Sequence, residues 1–182
     1  MELHILGPLE VVGDDGQALA LRGGQVRAVL ARLALSLNEV VSLDQLMDAV
    51  WGESPPSAPQ AALQVHVHSL RKVLGADRII RRQPGYLLRM DDDDVDAVLF
   101  ARLVAEGEQL LGAGDHFGAV AALQRALDLW RGPALADLVY EPFTQQEADR
   151  LEELRLVALE ILEPKGSSTS LAYTLYMLGC VA

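Results

Sequence analysis

Amide, hydroxyl and cationic side chains recur at helical spacing between residues 57 and 75. Such groups can hydrogen-bond to base edges in the DNA major groove or neutralise phosphates. Drawn at about 100° per residue, one face of this segment is apolar and carries Leu63, Val67, Leu70 and Leu74. The polar side chains that lie on or beside the opposite face are Gln64, His68, Ser69, Arg71 and Lys72. The pattern predicts an amphipathic helix with one stripe in a core and the other available to DNA.

A basic hairpin is predicted directly after this helix. Gly75 stands in the position of a helix C-cap. Residues 78–82 and 86–89 are short apolar and cationic runs around the turn Gln83-Pro84-Gly85, a pattern typical of two strands and a tight turn. Arg81 and Arg82 lie in the first of these strands. A helix followed by a positive hairpin is the outline of a winged helix-turn-helix.

The positive charge of the chain is concentrated on these two elements. The net charge is −11, but residues 71–89 hold six cations and a single anion, Asp77. Residues 1–90 carry nine Lys/Arg and nine Asp/Glu, whereas residues 91–182 carry six and seventeen. Phosphate binding requires a local positive field of this kind. The same cations also suit a solvated helix end, where they favour the helix dipole, so charge alone leaves both interpretations open.

Length and composition place outer limits on the protein. A chain of 182 residues is expected to form one or two small domains. Cys180 is the only cysteine, which excludes an internal disulfide framework and fits a reducing cytosol. The first ten residues resemble a strand rather than a signal peptide, and no apolar stretch reaches the roughly 20 residues of a spanning helix. We therefore expect a cytoplasmic protein with no membrane partner.

No catalytic, metal-binding or cofactor site is predicted. His66 and His68 are two residues apart on a helix and point in nearly opposite directions, so they cannot share a metal. We interpret His66 as a hydrogen-bonded residue at the core boundary. The run Asp91–Asp94 lacks the glycine and distal glutamate of a calcium loop and is interpreted as a solvated linker. Gly23-Gly24, just before a helix, can bind an anion, for which a DNA phosphate is the natural candidate.

The remaining elements of the first half complete a small α+β unit. Strands are predicted near residues 3–5, 9–12 and 18–21, and a helix from about residue 25 to residue 37. Ser42 is predicted to cap the next helix, with Gln45 in capping-box position, and that helix ends near Trp51-Gly52. A proline-rich turn then leads into the helix described above.

The second half is predicted to be helical. Apolar residues recur at helical spacing over residues 100–111, 115–130 and 144–162, with glycine-containing breaks between them. Alanines and glycines on the first two segments allow two helices to pack closely. The stretch GDHFGAVAALQRALDLWRG at residues 114–132 resembles one tetratricopeptide-like (TPR-like) unit. A plain helical bundle accounts for the pattern equally well.

Three stretches of the first half resemble the OmpR/PhoB-type winged-helix domain: VSLDQLMDAVWG at 41–52, VHVHSLRKVLG at 65–75 and IIRRQPGYLL at 79–88. The opening ELHILGPLEV is similar to the Streptomyces antibiotic regulatory protein (SARP) family, in which this domain comes first. Related phosphorelay regulators begin with a receiver domain, and none is present here. The resemblance implies a winged-helix domain over residues 1–92 and a TPR-like bacterial transcriptional activator domain over residues 95–163.

The resemblance also implies a set of DNA contacts. On the helix they are Gln64, His68, Ser69, Arg71 and Lys72, and on the wing they are Arg81 and Arg82. His68 and Ser69 stand where the family more often has arginine. The activator domain of the family continues with further helices beyond Glu160, but residues 163–168 break the pattern. We therefore expect a truncated helical domain and an anomalous tail over residues 164–182.

The function implied is that of a sequence-specific transcriptional activator with no enzymatic activity and no cofactor. It would be a monomer in solution, bind promoter direct repeats in double-stranded DNA as tandem protomers, and recruit RNA polymerase holoenzyme at the bacterial nucleoid. The alternative is a helical protein-interaction module whose winged helix serves for docking rather than DNA binding. The cations Arg71, Lys72, Arg81 and Arg82 argue against that alternative.

Overall fold

The computed structural model describes residues 1–162, apart from the side chain of Pro142. The predicted tail at residues 164–182, with Cys180, lies outside this part of the chain. The elements, in chain order, are β1 (Glu2–His4), β2 (Glu10–Val12), α1 (Gly24–Ala34), β3 (Val41–Ser42), α2 (Leu43–Trp51), α3 (Pro59–Leu74), β4 (Ile79–Arg82), β5 (Gly85–Leu88), α4 (Asp96–Gly112), α5 (His116–Leu127) and α6 (Pro142–Leu162). No helix of the described residues is long and apolar enough to cross a membrane.

The N-terminal strands β1 and β2 form an antiparallel pair in which Leu3 faces Val11. Both of these side chains are buried. The strand predicted near residues 18–21 is reduced to one bridge between Val12 and Ala18. The reason is the tight turn at residues 13–17, closed by a hydrogen bond from Gly13 N to Gln17 O, which brings only the first residues of that stretch back to β2.

The helices of the first half begin and end where local sequence patterns indicate, with one exception. The capping box at α2 is confirmed, because Gln45 N donates to Ser42 Oγ at 3.1 Å and Ser42 N donates to Gln45 Oε1 at 3.0 Å. Helix α1 stops at Ala34, three residues before its predicted end. The chain turns there because Asn38 adopts a left-handed conformation (φ 62°) and its side chain bonds both backbone groups of Met90.

A second sheet joins the hairpin of β4 and β5, which we call the wing, to the rest of the first half. Its strand order is β3-β5-β4, with all pairs antiparallel. Strand β3 was not predicted. It pairs Ser42 with Gly85, and a Cβ at Gly85 would lie 1.8 Å from Val41 O. Glycine is therefore required at this position because the backbones of β3 and β5 approach so closely.

The second half consists of the antiparallel pair α4 and α5, followed by α6. Asp115 caps α5 by accepting a hydrogen bond from Gly118 N at 2.9 Å. Gly107 packs against Leu123, where an added Cβ would lie 2.7 Å from Leu123 Cγ. The close helix packing expected from small residues is thus present between these two helices.

The two halves share one continuous hydrophobic core. Asp96, at the start of α4, accepts hydrogen bonds from Ile5 N at 2.8 Å and Leu6 N at 3.0 Å. Val95 also bridges Leu3 of β1, in parallel. Burial raises the pKa of the Asp96 carboxyl, while the two amides and, more weakly, His4 and Arg131 oppose that rise. The N-terminal strands therefore contribute to both halves.

A second junction is formed by Arg27 of α1 and Asp137, which precedes α6. The Arg27 guanidinium donates to Asp137 Oδ2 and to Leu9 O, and Leu9 N donates to Asp137 Oδ1 at 2.7 Å. The acidic run at residues 91–94 has no buried residue, in line with the predicted solvated linker, and residues 92–94 form a 3₁₀ turn. Within this turn Asp93 pairs with Arg102 of α4. The halves are consequently held in one arrangement at several points.

Candidate nucleic-acid interface

Helix α3 presents the face that the sequence predicts. Its apolar stripe, Leu63, Val67, Leu70 and Leu74, is buried. Gln64, His68 and Lys72 lie on the opposite side and are exposed, and within the described part of the chain no hydrogen bond engages their side chains. The exposed face of α3 thus offers an amide, an imidazole and an ammonium group to a ligand.

Val65 lies in the middle of this face and was not assigned as a contact. Its side chain is 62% exposed, although it is β-branched and apolar. An apolar group in that position suits a thymine methyl group in the major groove. The helical spacing of Ala61, Val65 and His68 would have been sufficient to include it.

The side chain of Ser69 is turned toward its own helix. It is half-buried, and its hydroxyl donates to Val65 O at 3.0 Å. This is the usual back-bond of a serine within a helix. A DNA contact from Ser69 stays a prediction, and it would require the hydroxyl to be shared or rotated.

Arg71 points toward the hairpin rather than away from the protein. Its Nε and Nη2 donate to Ile79 O at 2.9 and 2.7 Å. Its guanidinium carbon lies 5.8 Å from the centroid of the Tyr86 ring. Arg71 is half-buried in this position. The sequence placed it beside the outward face, and its assignment as a DNA contact is likewise still a prediction.

The wing exposes the other two predicted cations. Arg81 and Arg82 end strand β4, where they pair in register with Tyr86 and Gly85. Both are exposed. The Arg81 guanidinium carbon lies 4.8 Å from the centroid of the Tyr86 ring. Because neighbouring residues of a strand point to opposite faces, only one of the two rests on the tyrosine.

His66 corrects one expectation. It was interpreted as a hydrogen-bonded boundary residue, but its Nε2 is buried and has no hydrogen-bond partner among the described residues. The ring packs against Trp51, with 5.9 Å between the ring centroids. Burial lowers the pKa of His66. The expectation was wrong because the neighbour supplied by α2 is an aromatic ring rather than a hydrogen-bonding group.

Two further features concern ions. No group of three or more His, Cys, Asp or Glu residues within residues 1–162 is placed to hold a metal. At the start of α1, Gly23 offers no side-chain cap, and the first turn carries no acidic residue. The amides there are thus compatible with the predicted phosphate contact, which stays a prediction.

Comparison with known proteins follows the same division of the chain. Residues 16–88 match the family described as "Transcriptional regulatory protein, C terminal", and residues 95–167 match "Bacterial transcriptional activator domain". The transcriptional regulator RedD of Streptomyces coelicolor is 41% identical over 170 residues, which is 89% of this chain and 48% of RedD. The regulatory protein DnrI of Streptomyces peucetius is 36% identical over 88% of this chain and 62% of DnrI. The chain therefore resembles the SARP-family regulators, with an OmpR/PhoB-type winged-helix domain followed by a bacterial transcriptional activator domain.

A solved structure of the family has the same fold. Mycobacterium tuberculosis EmbR, determined in complex with a low-affinity phosphopeptide, superposes with a TM-score of 0.86 at 31% sequence identity. The match covers 98% of this chain and 50% of that chain. The winged helix followed by a helical domain, expected from sequence, is thereby confirmed. The chain spans about half the length of RedD and of EmbR.

Proposed function

We propose that the protein is a sequence-specific DNA-binding transcriptional activator. One observation carries this proposal: the exposed face of α3 and the exposed wing cations Arg81 and Arg82 lie on consecutive elements of an otherwise acidic chain. In this arrangement α3 enters the major groove, and the wing contacts phosphates or the minor groove. In this proposal Gln64, Val65 and His68 contact base edges, and Lys72 contacts a phosphate. The relatives named above are regulatory proteins, which supports this role, and the role involves no enzymatic reaction.

The acidic second half of the chain, with helices α4 to α6, is here called the helical body. We propose that it contacts other proteins, because its negative charge is repelled by DNA. RNA polymerase holoenzyme, recruited at a promoter, is the partner that fits an activator in the bacterial nucleoid. We further propose a monomer in solution and tandem protomers on direct repeats about one helical turn apart, since side-by-side packing uses a heterologous contact.

The DNA-binding proposal is tested by salt-dependent titrations of the full chain with DNA selected from genomic fragments. The slope of log K against log salt is negative, and we refer to its magnitude. Removal of a cation that neutralises one phosphate lowers this magnitude by about one unit. The Arg81→Ala/Arg82→Ala double variant is therefore expected to lower the slope by up to about two units and to weaken binding to all sequences alike.

Arg125, exposed on α5 of the helical half, supplies a matched control: Arg125→Ala should leave the slope unchanged. A slope that does not fall in the double variant would remove the wing from the DNA-binding surface. A wild-type chain that selects no DNA motif would favour the alternative, in which the winged helix docks proteins.

A further inference from the structure

Three side chains connect helix α3 to the wing, and we call them the Tyr86 stack: Arg71, Tyr86 and Arg81. Tyr86 is 5% exposed and lies in strand β5, which is the middle strand between β3 and β4. The two guanidinium groups lie 5.8 Å (Arg71) and 4.8 Å (Arg81) from its ring centroid. Both distances fall within the range in which an aromatic ring attracts a cation.

Arg71 ties the last turn of α3 to the first residue of β4. Two of its nitrogens donate to the single carbonyl of Ile79. A lysine has one point charge and cannot reproduce this planar pair of hydrogen bonds together with a contact to the ring. In this conformation Nε and Nη2 of Arg71 are engaged by the hairpin.

The contact with the Tyr86 ring also restricts the conformations available to the Arg81 side chain. Arginine loses considerable rotamer freedom when it is fixed on a ligand. A guanidinium that already rests on a buried ring has lost part of that freedom before binding, which favours affinity. The alignment of Arg81 opposite Tyr86 on the adjacent strand keeps the two side chains on the same face of the hairpin.

We propose that Arg71 and Tyr86 are positioning residues for DNA binding. They hold the wing cation Arg81 at a fixed place relative to α3, and Arg71 acts as a brace of the hairpin rather than as a reader of bases. This inference rests on the proposed DNA-binding function. It assigns Arg71 a role in affinity and leaves sequence preference to Gln64, Val65 and His68.

The brace is tested with Arg71→Met, which keeps the apolar stem and removes the guanidinium. Hydrogen exchange of the free protein is expected to become faster at the amides of residues 79–88. Affinity is expected to fall about three- to tenfold on the selected site and on base-substituted sites alike, so that their ratio stays unchanged. Lys72→Met is the matched control: it removes the neighbouring charge, which is exposed and makes no hydrogen bond or ion pair within the described residues, and it should leave exchange in the wing unchanged.

The ring is tested by a double-mutant cycle with Arg81. Tyr86→Phe keeps the ring and should bind DNA within about twofold of wild type, whereas Tyr86→Leu should weaken binding about three- to tenfold. In the Arg81→Ala background, Tyr86→Leu should weaken binding by less than about twofold, because its effect acts through Arg81. Circular dichroism of each variant establishes that it is folded, and if Tyr86→Leu does not fold, Arg71→Met decides the proposal alone.

Two outcomes would overturn the inference. The first is unchanged exchange in the wing of Arg71→Met together with an altered preference at one base position, which would make Arg71 a base reader. The second is an equal loss of affinity from Tyr86→Leu with and without Arg81. If the wild-type chain bound no DNA, the proposed function would fail, but the exchange measurement on the free protein would still decide whether Arg71 braces the wing.

Discussion

Replacement of Asp96 by alanine should destabilise both halves of the protein at once. The two carboxylate oxygens accept hydrogen bonds from Ile5 N and Leu6 N at 2.8 and 3.0 Å, and these residues are 1% and 0% exposed. The alanine variant leaves two buried N–H donors without partners, each at a cost of about 1–3 kcal/mol. Loss of the carboxylate also removes an unfavourable charge burial, the burial that raises the pKa of Asp96. The net expectation is a loss of about 2–4 kcal/mol in the free energy of unfolding.

A graded series makes this expectation sharper. Asp96→Asn keeps one acceptor oxygen, but its NH₂ group must face the second amide donor, so a loss of about 1–3 kcal/mol is expected. Asp93 lies three residues earlier on the surface, paired with Arg102, and is the matched control. Asp93→Ala should cost less than about 1 kcal/mol, since exposed ion pairs contribute little.

The assay is urea unfolding at neutral pH followed by tryptophan fluorescence. The chain has two tryptophans, Trp51 in the first half and Trp130 in the second, so single-tryptophan variants report on each half separately. Because the halves share one core, both probes should follow one transition, and Asp96→Ala should shift both. A loss below about 0.5 kcal/mol, or a shift at only one probe, would refute the reasoning.

Two further predictions concern pH and the wing. Burial holds the pKa of His66 below 6.5 in the folded state, so on acidification the unfolded chain takes up the proton first and stability should fall as the pH drops below about 6.5. In urea titrations, the free energy of unfolding should differ less between pH 7.5 and pH 5.5 in His66→Phe than in the wild type. An equal difference in the two proteins would exclude this histidine as the cause. Gly85→Ala places a Cβ 1.8 Å from Val41 O and should lower the free energy of unfolding by several kcal/mol. Gly24→Ala, whose Cβ would meet nothing within 4 Å, should be neutral or stabilising by up to about 1 kcal/mol. Similar melting temperatures for the two variants in thermal unfolding would contradict the close approach of β3 and β5.

The parts of the fold that local sequence determines were predicted well. The spacing of Leu63, Val67 and Leu70 fixes the buried face of α3, and the pair Ser42 and Gln45 fixes the start of α2. Asp115 does the same for α5. In each case the residues that form the structure are within one or two turns of each other, so periodicity and capping rules suffice.

The features that the sequence did not predict depend on distant parts of the chain. Strand β3 has only two residues, and its identity depends on pairing with β5, more than forty positions away. The bonds from Ile5 and Leu6 to Asp96 span 91 and 90 residues. The direction of Arg71 is set by the carbonyl of Ile79 on the hairpin. The sequence therefore indicated which polar residues lie on the outer face of α3, but not which of them already make hydrogen bonds within the protein.

The shared core has a geometric consequence for the proposed binding to DNA. The helical body is joined to the winged helix through Val95, Asp96 and the pair Arg27 and Asp137, so it cannot swing freely about its attachment. On DNA, each base pair by which the binding site moves along the duplex rotates such a body by about 34° around the helix axis. A displacement of about five base pairs places it on the opposite side of the duplex. Under the proposed function, the fused architecture thus converts the distance between binding site and promoter into an angle at which the helical half faces RNA polymerase.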